Sequence, residues 1–421
     1  MKHRRMSAPG TPSVPGRILA LSIVATGCGG EAGLSAPPPG GGNDLRPGLT
    51  VDVAVDPTIA SVAQTLGWSD GVPGAELRVH RFGTDFSWDT AVSDGSGVAR
   101  LPQLVSGRYR VAVYRPLTAE QSQTTGLSAL GAGGILDVSA GGTTASLRLK
   151  PSREGSLVIS EVYATAPFVA ETTYDFHMFF EVYNNSDQVV FLDGVIFGSM
   201  LGIPDINTST WPCSITEPFR KDPDGVWAVF LNRFPGSGAD YPLGPGAAAV
   251  VALDAIDHST IDPRFPDLSG ADFELLGSGD VDNPDVPNLV EVGTRSFQLG
   301  HGLRFFVGET LFLSAPLDPD DLSRGNIPNA SSDYLRVPAS SLLDVVWTED
   351  DDALEEQLYD SCGGVVHGSF DELGGGFVEH GVDLTLSVQR IPLPGSPGKL
   401  QDTNVSAVDL VKGPITPGRV P

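Results

Sequence analysis

Three cysteines, four methionines and seven histidines are all that this 421-residue chain offers to thiol or soft-ligand metal chemistry. None of the histidines stands in an H-x-x-E or H-E-x-x-H setting, which removes the usual zinc peptidase arrangements. A G-x-S-x-G elbow and a G-x-x-x-x-G-K loop are also missing, and with them the commonest hydrolase and nucleotide-binding signals. Basic residues are scarce: 26 Lys and Arg stand against 52 Asp and Glu, for a net charge of −26. Such a surface repels phosphate backbones and anionic headgroups, so nucleic acid is excluded as a partner while cations and neutral or basic partners stay open. Long apolar runs are absent too. The run at residues 18–28 is well below the roughly 20 residues that a membrane-spanning helix needs.

What is present begins with "MKHRRMSAPGTPSVPGR", which holds four Lys or Arg and no acid, followed by "ILALSIVATGC". A basic start and a short apolar core predict a secretory signal. The small residues Ala25, Thr26 and Gly27 before Cys28 resemble the lipobox of bacterial lipoproteins, in which the cysteine is acylated and becomes the new N-terminus. The resemblance implies lipidation at Cys28 and anchoring, since each buried methylene contributes about 0.8 kcal/mol. Gly29 stands where lipoproteins of enterobacterial type carry an aspartate for inner-membrane retention, so the expected address is the outer membrane. The tract 28–48, "CGGEAGLSAPPPGGGNDLRPG", cannot bury a core and reads as a flexible tether. With Cys28 lipidated, Cys213 and Cys362 remain as an even pair in an oxidising compartment. A bridge between them would close a loop of about 150 residues, worth on the order of 4 to 5 kcal/mol; two buried free thiols are the alternative.

From Leu49 the pattern alternates with period two. Leu49, Val51 and Val53 interleave with Thr50 and Asp52, and the same rhythm returns in "AELRVHR", "RYRVAVY" and "TASLRLK", separated by "DGVPG", "SDGSG" and "SAGG". Short strands punctuated this way predict an antiparallel sandwich. The order "GAELRVHR … TAVSDGSGVARLPQLVSGRYRVAVYRP … LDVSAGGTTASLRLKP" resembles the carboxypeptidase regulatory-like modules of prealbumin type, and assigns residues 49–151 to one. That resemblance implies a spacer or docking platform and no peptidase. An insertion at 117–134, "LTAEQSQTTGLSALGAGG", departs from the pattern and is expected to be a loop without order, with a functional loop as the alternative.

A second body, 156–421, opens with "EGSLVISEVYATA" and continues through mostly β-type pieces; the clearest helical stretch is "DDDALEEQLYD", where Leu354 and Leu358 lie four apart. The whole resembles an uncharacterised family of bacterial lipoproteins, domain of unknown function 4876, on "DVDNPDVPNLV" and the late "QR … LQDTN". Within it, "LVISEVY … FFEVYNNSDQVVFLDGVIFG … YPLGPGAAAVVALDAIDH" is similar to the lamin-tail β-sandwich. The likeness implies that Glu161, Glu181, Asn184 and Asp193 are structural residues of the hairpin. The fold class expected is therefore all-β, with two β-sandwich domains in tandem and few short helices.

On a strand, His177, Phe179, Glu181 and Tyr183 share one side and Met178, Phe180 and Val182 the other. A carboxylate between two apolar faces must be neutral or hydrogen-bonded. Glu161 and Glu181 could thus form an acid–base pair or lock the hairpin, and the lamin-tail likeness favours the lock. His177 and Glu181 lie about 13 Å apart on such a strand, too far to share a metal. Calcium is the best-founded cofactor candidate: Asp280, Asp282, Asn283 and Asp285 in "DVDNPD" come first, ahead of "LDPDD" and "KDPDG", because hard oxygens in Pro-rich loops suit that ion. Trp68 and Trp211 sit in loop-like surroundings where a sugar could stack, with packing beside Cys213 the leading role for Trp211. The expected function is non-catalytic binding or assembly at the cell envelope, with a TonB-dependent transporter or an extracellular polymer as partner. A hydrolase using buried carboxylates or a calcium site, and a purely structural stalk, are the alternatives.

Overall fold

The computed structural model describes residues 48–68, 71–81, 89–127, 129–152, 155–164, 168–169, 172–174, 176–200, 213–220, 222, 224–275, 282–292, 310–326, 333–347, 384–393, 396–404 and 406–419. Cys28, Cys362, Asp280, Trp211 and the "DDDALEEQLYD" stretch lie outside them, so the lipidation site, one partner of the expected bridge and one candidate calcium ligand do too.

The chain is all-β, with short helices between strands. In the first region the strand order is Asp89–Val92, Glu76–Arg81, Gly107–Pro116, Ala129–Val138, Thr143–Ser152, Leu49–Val55 and Val98–Leu101. The alternation read from the sequence is realised: Val51 and Val53 are buried and Asp52 is exposed, and Leu77, Val79, Val111, Val113 and Leu149 meet them in one core. Each such side chain contributes about 1.5 to 3 kcal/mol on burial. Leu49–Val55 runs parallel to Thr143–Ser152 and antiparallel to Val98–Leu101. The "SDGSG" turn is tied by Asp94, whose carboxylate accepts from the Ser96 and Val98 amides. Gly97 has φ of 81°, and a Cβ there would stand 2.6 Å from the Val53 carbonyl oxygen, so only glycine fits. Tyr109 anchors the next strand by donating its hydroxyl to the Val105 carbonyl at 2.7 Å, the contact of a tyrosine corner.

The insertion at 117–134 corrects the expectation of a loop without order. Residues Ala119–Thr125 form a helix, and Ala129–Val138 is a strand paired with Gly107–Pro116. The reason lies in the sequence itself. Thr118 and Gln121 make a reciprocal capping box, and Gly126 closes the helix in the left-handed conformation.

The second region contains two larger sheets. One has the order Phe273–Glu274, Ala248–Ala252, Phe179–Asn184, Leu157–Tyr163, Leu386–Arg390, Leu410–Pro414; the other runs Ser323–Asn326, Asp333–Pro338, Gly225–Arg233, Ile196–Met200, Thr310–Ser314, Leu342–Trp347. Between them lie Leu157, Ile159, Phe180, Val182 and Val251 from the first sheet and Phe197, Leu311, Leu313 and Val346 from the second. Phe180 and Phe197 stack across the interface with centroids 3.8 Å apart. The outer face of the first sheet is covered as well, by a cluster with Tyr163, Phe179, Val250, Leu268 and Val286. Every residue of Leu157–Tyr163 and of Phe179–Asn184 is therefore buried. The strand starts two residues later than the alternation suggested, because His177 sits in the preceding turn.

Candidate functional site

Glu161 and Glu181 stand opposite each other on neighbouring strands, beside a bulge that leaves Ser160 without a cross-strand partner. Both are buried. A segment more than 200 residues downstream covers them. Glu161 Oε1 accepts from Ser387 Oγ at 2.6 Å and from the Thr416 amide at 2.9 Å, while its Oε2 accepts from Thr416 Oγ1 at 2.9 Å. Glu181 accepts from Ser160 Oγ at 3.3 Å and from the Gly418 amide. Burial pushes the Glu181 carboxyl up to about 7, the bond from Gly418 opposes this, and the charge of Glu161 adds to it.

The hairpin turn holds the same downstream segment. Tyr183 donates its hydroxyl to the Gly398 carbonyl at 2.7 Å. The Asn185 side chain brackets Leu400, donating to its carbonyl at 3.0 Å and accepting from its amide at 2.8 Å. Lys399 donates to the Asn185 carbonyl and pairs with Asp187, each at 2.7 Å. Asn184 turns inward, donating to the Gln188 and Leu243 carbonyls and accepting from the Ser186 amide. Asp193 gathers the Gly238, Asp240 and Tyr241 amides at 2.8 to 2.9 Å. Burial works against its ionisation, yet those three N–H groups outweigh it and hold the carboxyl below its usual range. All four hairpin residues named from the sequence thus make hydrogen bonds within the chain.

A second polar cluster lies between the sheets. Arg390 Nη2 donates to both oxygens of Asp344, at 2.9 and 2.7 Å. Its Nη1 donates to the Gln401 carbonyl at 2.9 Å and to Asp409 Oδ2 at 3.3 Å, and lies 3.5 Å from Asp402 Oδ1. Its Nε donates to the Ile159 carbonyl at 3.1 Å. Backbone amides complete the carboxylates: Ile159 to Asp344, Gly155 to Asp402 and Thr403 to Asp409. None of these four side chains was singled out from the sequence as a site. The only signal was that Arg390, Asp402 and Asn404 fall inside the polar motifs "QR" and "LQDTN", late in an otherwise apolar pattern; Asn404 has a φ of 58°.

Among the described residues, His177 and His258 pack together with aromatic rings. His258 Nε2 lies 2.9 Å from the Asp254 carbonyl, which only accepts, so that nitrogen carries the proton and Nδ1 accepts from the Tyr174 hydroxyl at 2.7 Å. His177 stacks on Phe265 with centroids 4.0 Å apart. Burial, helped by His258, pushes the His177 imidazole down to about 3, and burial lowers His258 as well.

In the described parts of the candidate calcium loops several side chains bond within the chain. Asn283 donates to the Ala255 carbonyl and accepts from the Asp285 amide, and Asp282 accepts from Asn288 Nδ2 at 2.7 Å. Glu274, buried, holds this loop by accepting from the Asn283 amide at 3.2 Å and the Ala255 amide at 2.9 Å. Asp222 of "KDPDG" is gripped by Arg336 through two nitrogens and by the Trp227 indole, and Asp318 of "LDPDD" caps a short helical turn. Among the described residues no three His, Cys, Asp or Glu side chains converge as a metal site. Trp68 is half-buried against the first core, with the Arg115 guanidinium 5.6 Å from its ring centre.

No family model and no curated protein matches the chain. Among solved structures, a DUF4876 family protein from Bacteroides thetaiotaomicron is similar over 89% of this chain and 96% of its own, at 18% identity and a TM-score of 0.47. This is the family that the sequence motifs resemble. Fervidolysin from Fervidobacterium pennivorans, a keratinolytic enzyme related to subtilisin, is similar over 36% of this chain and 26% of its own, at 16% identity and a TM-score of 0.18. An adhesin candidate from Bacteroides ovatus covers 70% of this chain and 82% of its own at 11% identity and a TM-score of 0.17. Identities this low carry no activity to the present chain.

Proposed function

We propose that the protein is a non-catalytic lipoprotein of the outer membrane, anchored through Cys28 and carrying its β-sandwiches on the 28–48 tether, which binds an envelope protein. A TonB-dependent transporter is the first candidate. The observation that supports this reading is the state of the Glu161–Glu181 pair. Both oxygens of Glu161 and the carboxylate of Glu181 are engaged by donors of the protein's own chain, Ser387, Thr416, Ser160 and Gly418. A general acid or base has to reach the proton that it transfers, and these two face hydroxyls and amides of their own chain instead.

The test uses the full-length chain in its membrane. Wild-type protein is expected to incorporate labelled fatty acid and to sediment with the outer membrane, and Cys28→Ser to do neither; equal behaviour of the two would overturn the anchoring. Crosslinking from that membrane is expected to capture an envelope protein, whereas retention on extracellular polysaccharide alone would replace the partner class. One observation favours a hydrolase instead: the Glu181 carboxyl, at about 7, is poised where a proton donor works best. Turnover of an ester, amide or glycoside that is lost in Glu181→Gln, with the fold retained, would establish that second reading.

A further inference from the structure

One lateral row of side chains crosses the outer face of the sheet that holds Leu157–Tyr163. Gln389 is in register with Glu161, Glu161 with Glu181 and Glu181 with Val250, one residue from each of four neighbouring strands. Residues 414–418 lie along that row. Gln389 Nε2 donates to the Pro414 carbonyl and, at 3.0 Å, to Thr416 Oγ1. Glu161 accepts from the Thr416 amide and hydroxyl, each at 2.9 Å, and Glu181 accepts from the Gly418 amide.

The seated stretch is a turn that its own sequence dictates. The Arg419 amide donates to the Thr416 carbonyl at 3.0 Å, Pro417 takes the second position and Gly418 the third, with φ of 72°. That is a type II turn, for which Pro and Gly are the fitting residues. The ladder of Leu410–Pro414 stops just before it, and one further backbone bond follows, from the Ile415 amide to the Thr385 carbonyl. Beyond that point the row's side chains fasten the turn. Its far end is not wedged: Gly418 and Arg419 are exposed, and a Cβ on Gly418 would meet Val250 at an ordinary 3.7 Å.

The row reads two amides, one carbonyl and one hydroxyl, so it recognises a Thr-Pro-Gly turn more than this particular stretch of chain. A buried carboxylate pair is also a costly way to hold a cap, since apolar residues of similar volume stabilise as well or better. Charge narrows the ligand further. A chain of net charge −26 attracts a basic segment and repels an acidic one, and in the turn seated here the residue after Gly418 is Arg419. We propose that Gln389, Glu161 and Glu181 form a docking site for a Thr-Pro-Gly turn followed by a basic residue, filled here by residues 416–419 and opened when a like turn of the envelope partner displaces them. This rests on the reading of the protein as a binder of an envelope protein, and adds the chemistry of the segment that it takes.

Calorimetric titration of the full-length chain with the synthetic peptide Pro-Ile-Thr-Pro-Gly-Arg tests the site without the partner. The turn in place competes, so affinity for the peptide scales with the fraction of molecules in which the row is open. Gly418→Val strains that turn, because a β-branched residue resists its φ, and is expected to bind the peptide about tenfold more tightly than wild type. The same peptide with Val for Thr and Ala for Gly is expected to bind about tenfold more weakly. Should Gly418→Val fail to fold, Thr416→Ala loosens the turn by removing its hydroxyl bonds. In hydrogen exchange, amides of 415–419 are expected to open before those of Leu386–Arg390. Absence of peptide binding, equal binding of the two peptides, equal affinity of variant and wild type, or exchange of 415–419 only together with Leu386–Arg390 would each overturn the docking site. Peptide binding with no envelope protein crosslinked from the membrane would leave the site standing and remove the partner reading instead.

Discussion

Between residues 49 and 152 the sandwich closes on aliphatic side chains, and Ser93 is the one buried polar side chain among the described residues there. Its ion pairs, such as Arg108 with Asp137, reach the surface. Between residues 155 and 419 an equally apolar core is threaded by Glu161, Glu181, Glu274, Asp344, Arg390, Asp402 and Asp409, all buried. The difference follows from what each region must specify. Neighbouring strands joined by tight turns find their register through alternation alone. A late segment laid across distant strands has no turn to place it, and directional hydrogen bonds to fixed carboxylates give it one position.

Four substitutions would break or sharpen this contrast. Arg390→Ala leaves three carboxylates without their cation and is expected to cost about 3 to 5 kcal/mol, read as a lower urea midpoint; Asp137→Asn in the first region, at a pair whose carboxylate is exposed, should shift it by less than about 1 kcal/mol. Equal effects would erase the distinction. Leu77→Ala, in the first core, should cost about 2 to 5 kcal/mol and, in hydrogen exchange, expose the strands of residues 49–152 before those of the second region. Thr118→Ala removes the cap of the Ala119–Thr125 helix and is expected to cost about 1 kcal/mol, seen as faster proteolysis within 117–134 and little else.

Much of the first region could be read from local pattern, since Leu49, Val51 and Val53, the "SDGSG" turn and Tyr109 each act on near neighbours. The helix at Ala119–Thr125 has a local signal too, the Thr118 and Gln121 box, which loop length alone does not reveal. In the second region the strands carrying Glu161 and Glu181 could be read from pattern, with an acid–base pair and a structural lock as the two readings of the glutamates; the structure sets the two opposite each other. What covers them could not be read, because the Thr416 amide lies 255 residues from Glu161. The Arg390 cluster was illegible for the same reason: Asp344 and Arg390 are 46 residues apart on different sheets, and no period links them.

The strand Leu386–Arg390 sits inside its sheet, flanked by Leu157–Tyr163 and Leu410–Pro414. A chain emerging from the ribosome, or threaded N-terminus first through a pore, can complete the first sandwich early, whereas the second waits for residues made more than 200 positions after its opening strand. Pairings so remote are slow to form, and they keep this half of the molecule unfinished during transit. A premature stop upstream of residue 386 would deprive the sheet of an interior strand and leave Leu157–Tyr163 as a bare apolar edge, the kind of surface that proteases and chaperones engage. The second sandwich can therefore close only once residues 386–414 have been made.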